Sequence, residues 1–371
     1  MGKIVGILSM QRVLNYGSFL QAYALKQILL QNGAEDVYFI DIKEGKRLIE
    51  YKPKPLNLEQ RIKRQLRLIF EGNFLNNLRD KKFVSCLCKS IEDCYPLLEG
   101  EQRNLPAQFD LVVIGSDEVF NCCQATTWGY TLQLYGEIEN AKKVISYAGS
   151  FGHTTYDQLV SFGIEQEIGK TMQQRLAAIS VRDQNSYDIV KQLTGLEPQR
   201  HLDPVLIYGY AQEIVRQKTP TGSKYLLIYT YQGRIRDKKE IAAIKAFAKK
   251  RKLKLYSIYS RYGWCDKAII PDTPFEVLGW FKNAECVVTD TFHGTIFSLI
   301  TETIFATIVR NTNTQKLTSL LKHFGLENRA VSNWDDNEME IILTSEIDWK
   351  QFKDRLSVER EKSNAYICKF L

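Results

Sequence analysis

Short apolar runs, each ended by a polar cluster and followed by a stretch of helical spacing, recur along this chain. They occupy residues 3–9, 37–40, 109–114, 143–148, 177–181, 225–229, 253–258, 286–289 and 304–309. Apolar residues at helical spacing lie between them, as in Phe19–Leu29, Ser186–Leu193, Asp237–Lys250, Phe275–Lys282 and Lys316–Phe324. A strand, a helix and a second strand at this spacing make a right-handed crossover with a parallel sheet. The pattern predicts an α/β protein of two doubly wound parallel-sheet domains facing a cleft. Residues 1–211 form the first, interrupted by a basic helical insertion at 43–105, and residues 224–345 form the second. Gln212–Ser223, polar and carrying Pro220 and Gly222, reads as the linker. Residues 346–371 read as a polar C-terminal helix packing back across the junction.

Composition narrows the class. At 371 residues the chain has room for two cores, and no apolar run approaches the roughly 20 residues of a membrane span. The first ten residues are too weakly apolar for a signal peptide and read as a strand, and Gly6 stands where myristoylation wants Ser or Thr. A cytoplasmic protein is therefore expected. The eight cysteines lack paired zinc-site spacing, and His153, His201, His293 and His323 are too dispersed for a metal cluster. The net charge of +7 is uneven: residues 43–82 hold twelve Lys/Arg against five Asp/Glu. That leaves the remainder nearly balanced, unlike a nucleic-acid-binding protein. Gln60–Phe70 is a basic amphipathic stretch, either a solvated surface helix or a contact for an anionic membrane or glycan at the inner face of the membrane.

In open parallel sheets ligands bind beyond the carboxyl ends of the strands. The polar residues at those ends are Asn15, Gly115, Ser116, Asp117, Ser150, Arg182, Asp203, Asp290 and His293. The run Thr289-Asp290-Thr291-Phe292-His293-Gly294-Thr295 joins a strand to a helix start, which favours anions and holds a histidine able to move a proton. Arg182 suits a carboxylate or phosphate clamp, or a salt bridge to Asp183. Asp117 reads as the cap of a helix after Gly115-Ser116. There is no Walker loop, no G-x-G-x-x-G and no D-x-D metal motif.

Several motifs together resemble the polysaccharide pyruvyl transferase family. They are Asn15-Tyr16-Gly17-Ser18 with Gln21-Ala22, Gly115-Ser116-Asp117-Glu118-Val119-Phe120-Asn121, Ser146-Tyr147-Ala148-Gly149-Ser150-Phe151-Gly152, Ser180-Val181-Arg182-Asp183, Leu202-Asp203-Pro204 and Thr289–Thr295. Glu118, Phe120 and Gly149 depart from the family's usual Gln, Trp and Ala. The resemblance implies two Rossmann-like halves of the glycosyltransferase-B kind. It also implies transfer of a pyruvyl group from phosphoenolpyruvate to sugar hydroxyls of a glycan, or of a lipid-linked oligosaccharide, with no cofactor or metal. It places Arg182 and His293 on phosphoenolpyruvate; the chemistry of that donor in turn calls for a general acid, a role open to His293, and for a base on the acceptor hydroxyl, Asp117 or Asp290. Asn15, Gly17, Gly115, Ser116, Ser150, Asp203, Thr291, Gly294 and Thr295 would complete the substrate site. A nucleotide-sugar glycosyltransferase and a non-catalytic glycan-binding component are the competing readings.

Overall fold

The computed structural model describes residues 2–49, 73–99, 105–124, 126, 128–217, 222–311 and 313–371. Two parallel sheets form the framework. The first has strands β1 (Lys3–Leu8), β2 (Ala34–Ile40), β3 (Leu111–Ile114) and β4 (Val144–Ser146), in the order β2-β1-β3-β4. Backbone bridges from Ile145 to Ala178 and from Gly149 to Val181 continue it into β5 (Ser180–Val181) and β6 (Gln199–Arg200). The second sheet comprises β7 (Tyr225–Tyr229), β8 (Lys254–Ile258), β9 (Lys267–Ile269), β10 (Cys286–Thr289), β11 (Phe305–Ile308) and β12 (Ala330–Val331). Its order is β12-β11-β10-β7-β8-β9. All named strand pairs are parallel.

These strands read as unbroken apolar runs because helices cover both faces of each sheet. Every residue of β3, β7, β10 and β11 is buried. Each fully buried Val, Leu or Ile contributes on the order of 1.5–3 kcal/mol, so the sheets supply the rigidity on which the site is built. Strand order reverses between β1 and β3 in the first sheet and between β7 and β10 in the second. A crevice opens at such a reversal because the flanking crossovers leave on opposite faces.

The helix Trp349–Cys368 begins beside the second half and ends on the first. Phe352 packs on Phe324 at its start. Farther along, Arg360 donates to the Leu206 carbonyl and the Tyr366 hydroxyl to that of Ser146 (2.8 Å). The Lys3 ammonium reaches the Phe370 carbonyl at 2.6 Å.

Some local readings need correction. Part of the supposed linker, Ala211–Arg216, is helical. Strands β9 and β12 and the helix Asp336–Thr344 went unread, being short or lacking a clean apolar repeat. The basic stretch 60–70 lies outside the described residues. Among the described residues no helix is long and apolar enough to cross a membrane.

Candidate active site

Chain segments from the strand ends of both sheets meet above the two reversals and line a cleft of about 410 Å³. After β1, Asn15 caps the helix Tyr16–Gln31 by accepting the Gly17 N–H at 2.7 Å. Its Nδ2 then donates to the Tyr231 hydroxyl at 3.0 Å, linking the two halves across the cleft. After β10, Thr291 caps the helix Phe292–Ile300 by accepting the Gly294 N–H at 2.8 Å. The Thr289 hydroxyl donates to the Tyr229 carbonyl at 2.7 Å and accepts the Thr291 N–H at 3.1 Å. A Cβ on Gly294 would collide with the Thr289 and Thr291 hydroxyls, so this tight turn, which presents Asp290 and His293, requires glycine.

Asp203 is the centre. It is fully buried, and its Oδ2 takes the Arg182 Nη1 at 2.8 Å and the Ser116 hydroxyl at 3.2 Å. Its Oδ1 accepts the Val205 N–H at 3.0 Å, capping the short helix Pro204–Tyr208. His293 Nε2 lies 3.5 Å from the same Oδ2, within ion-pair range but outside hydrogen-bond geometry, so that link is chiefly electrostatic. Burial would raise the Asp203 pKa; the imidazole, the guanidinium and the Val205 N–H outweigh it and hold it at about 2. Arg182 also stacks on Phe292, 4.4 Å above the ring, and lies 3.8 Å from Asp117.

Asp290 behaves in the opposite way. Both its carboxylate oxygens are buried and accept no hydrogen bond among the described residues. Arg234 and Arg310 approach only to 3.6 and 3.7 Å. Arg310 spends its hydrogen bonds on Glu240, at 2.5 and 2.9 Å. Burial therefore dominates, and the Asp290 pKa rises to about 6. Raised above its unfolded value of 3.8, this carboxyl contributes stability fully present below about pH 4 and lost as pH climbs through 6. Asp290→Asn should consequently gain on wild type by on the order of 2–3 kcal/mol between pH 4 and pH 8. Urea titrations at both pH values measure this; a pH-independent difference would contradict it.

A second, half-buried pair, Glu118 and Lys316, closes at 2.6 Å. Burial would raise the Glu118 pKa, but Lys316, with Asn121, lowers it to about 2. Asn15, Asp117, Arg182, Asp290, Thr291 and His293 thus line one cleft, with Asp203 immediately behind. The other sequence candidates stand in support. Gly17 packs against the His293 ring, and a Cβ there would collide with its Nδ1 and Cγ. Gly115 packs on Leu25 and Ser9. Ser150 donates to Asp183 at 2.6 Å, and Thr295 donates to the Thr291 carbonyl at 3.2 Å.

Two residue roles are corrected. Arg182 pairs with Asp203 rather than Asp183, because Asp183 accepts the Ser186 N–H as cap of the helix Gln184–Thr194. Asp117 caps no helix. Its φ of +79° swings the carboxylate toward Ser18, whose hydroxyl donates at 2.8 Å. Sequence reasoning missed Ser18, Tyr231, Arg234 and Lys316 as cleft residues. The strand-end rule, applied to β7, would have found Tyr231 and Arg234. Lys316, on an amphipathic helix, carried no signal. Among the described residues no cluster of His, Cys, Asp or Glu is arranged to hold a metal.

A profile of the polysaccharide pyruvyl transferase family matches residues 15–311. No curated protein sequence matches significantly. Among solved structures, the chain resembles UDP-GlcNAc 2-epimerase of Methanocaldococcus jannaschii at 13% identity, covering 97% of this chain and 99% of that one, with a TM-score of 0.53. It also aligns with the Neisseria meningitidis UDP-GlcNAc 2-epimerase (9% identity, 98% and 94% coverage, TM-score 0.46). A UDP-glucosyltransferase of Polygonum tinctorium aligns at 9% identity, 99% and 94% coverage and a TM-score of 0.41. The fold is glycosyltransferase-B-like. With the profile spanning most of the chain and both sheets, the protein belongs to the polysaccharide pyruvyl transferase family.

Proposed function

We propose that the protein moves the pyruvyl group of phosphoenolpyruvate onto two hydroxyls of one sugar in a glycan or its precursor. Phosphate is released and a cyclic ketal remains. The observation that carries this reading is the convergence of Arg182 and His293 on Asp203 in a cleft also lined by Arg234 and Lys316. A donor bearing a phosphate and a carboxylate suits that set of cations.

A proton delivered to the methylene carbon of the donor makes C2 electrophilic. The first sugar hydroxyl adds there and gives up its proton; the second displaces phosphate as the C2–O bond breaks. Of the two hydroxyl protons, one replaces that delivered to carbon and the other leaves with phosphate. His293, whose Nε2 lies 3.5 Å from Asp203, fits the role of general acid. Asp290, exchanging a proton near pH 6 and free of hydrogen bonds among the described residues, fits the acid–base role. Asp117, held by Ser18 and the Glu118 N–H, is the better positioning group.

Phosphate release from phosphoenolpyruvate, assayed across lipid-linked and soluble glycans, tests the reading. His293→Ala should lower it by about 10²–10⁴-fold while leaving the melting temperature near that of wild type. Wild-type release by a folded variant would remove the reading. Thermal protection by UDP- or GDP-sugars, with none from phosphoenolpyruvate, would point to nucleotide-sugar transfer instead.

A further inference from the structure

A second cavity of about 470 Å³ adjoins the cleft and shares Met10 and Trp128 with it. Trp128 stands between the two, and the backbone around it is built to keep it there. The Gly45 N–H donates to the Trp128 carbonyl at 2.7 Å, and the Tyr130 N–H to the Lys46 carbonyl at 2.8 Å. A Cβ on Gly45 would collide with the Tyr130 carbonyl, and Gly129 turns with a φ of +67°, so both positions of this clip require glycine. The indole packs against the core cluster containing Met10 and Tyr130 yet stays partly exposed.

The adjoining cavity is lined by hydrogen-bonding groups rather than by a charge of one sign. Gln11 is buried; its Nε2 donates to the Ile40 carbonyl at 3.1 Å, while its Oε1 has no partner among the described residues. Asp41, paired with Arg12 at 3.3 Å, and Glu44 complete the polar lining. A flat aromatic face beside amide and carboxylate acceptors matches a sugar ring, which has an apolar face and a rim of hydroxyl donors.

We propose that Trp128 is the platform for a second sugar of the acceptor, and that the cavity lined by Gln11, Asp41 and Glu44 takes the residue after it. The acceptor is then an oligosaccharide, read over about three units, rather than a monosaccharide. This inference rests on the glycan-acceptor reading above but not on the identity of the donor.

The test is binding of β-linked gluco- and galacto-oligosaccharides of one to four residues, followed by tryptophan quenching and thermal shift. In wild type, affinity should rise by about tenfold or more between one and three residues. Trp128→Ala should abolish that gain. Trp128→Phe, which keeps a packed ring, and Glu44→Gln should each keep part of it, so a folding defect in the alanine variant does not decide the matter. Equal binding of short and long glycans by wild type overturns the proposal, as does length dependence that survives Trp128→Ala. Length-dependent binding without phosphate release from phosphoenolpyruvate supports this subsite and removes the pyruvyl donor. Phosphate release with no length dependence does the reverse.

Discussion

Asp203→Asn is expected to destabilise the protein by about 3–5 kcal/mol and to abolish turnover. Asp203 is the carboxylate that Arg182 and His293 share, with Arg182 at 2.8 Å and His293 at 3.5 Å. Asparagine preserves the shape and can still accept the Val205 N–H, but its amide NH2 then faces the Arg182 and Ser116 donors, so the charge and an acceptor are lost together. Without them, the buried guanidinium keeps its stack on Phe292 and the Asp117 contact at 3.8 Å, which is too long for a strong hydrogen-bonded pair. Removing one partner of a buried pair costs more than the pair contributes, because the remaining charge has no water to return to. The urea midpoint should fall with little change in the slope of the unfolding transition. A variant within about 1 kcal/mol of wild type would show that Arg182 is not balanced by Asp203.

Gly17→Ala should reduce transfer by about 10²-fold and also cost stability, by about 1–3 kcal/mol, through overpacking. Gly17 lies in the first turn of the helix Tyr16–Gln31, where alanine is the better helix former by roughly 0.8–1 kcal/mol. Propensity therefore offsets part of any packing cost. The new methyl group, however, would occupy the space against His293 Nδ1 and Cγ. The ring has little freedom to yield, with Asp203 at Nε2 and Phe297 tilted against it at 6.1 Å between centroids. A displacement near 1 Å at a reacting group is worth about two orders of magnitude in rate. Transfer at the wild-type rate in Gly17→Ala would mean that the His293 position is not critical.

The sheets were legible because buried parallel strands write themselves as apolar runs, and β7, β10 and β11 are of that kind. β9 and β12 were not, since Lys267–Ile269 and Ala330–Val331 are too short for any period to show. Residues at strand ends could be named because topology alone delivers them to the crevice; Asp117, Arg182, Asp290 and His293 are examples. Which group pairs with which depended on distances that sequence spacing does not encode. Arg182 passes over its neighbour Asp183 to reach Asp203, twenty-one residues along the chain. Lys316 looked like any surface lysine until Glu118, from the other half, was placed 2.6 Å away.

The long final helix means that backbone passes between the two sheets twice, once on the way out and once on the return. Between these crossings the halves also share apolar packing, with Tyr16 against Tyr259 and both Phe19 and Tyr23 against Phe275. Asp203 and Arg182 lie on one half while His293 and Asp290 lie on the other. The shared carboxylate thus receives one partner from each half, and holding the halves in register is part of building the site.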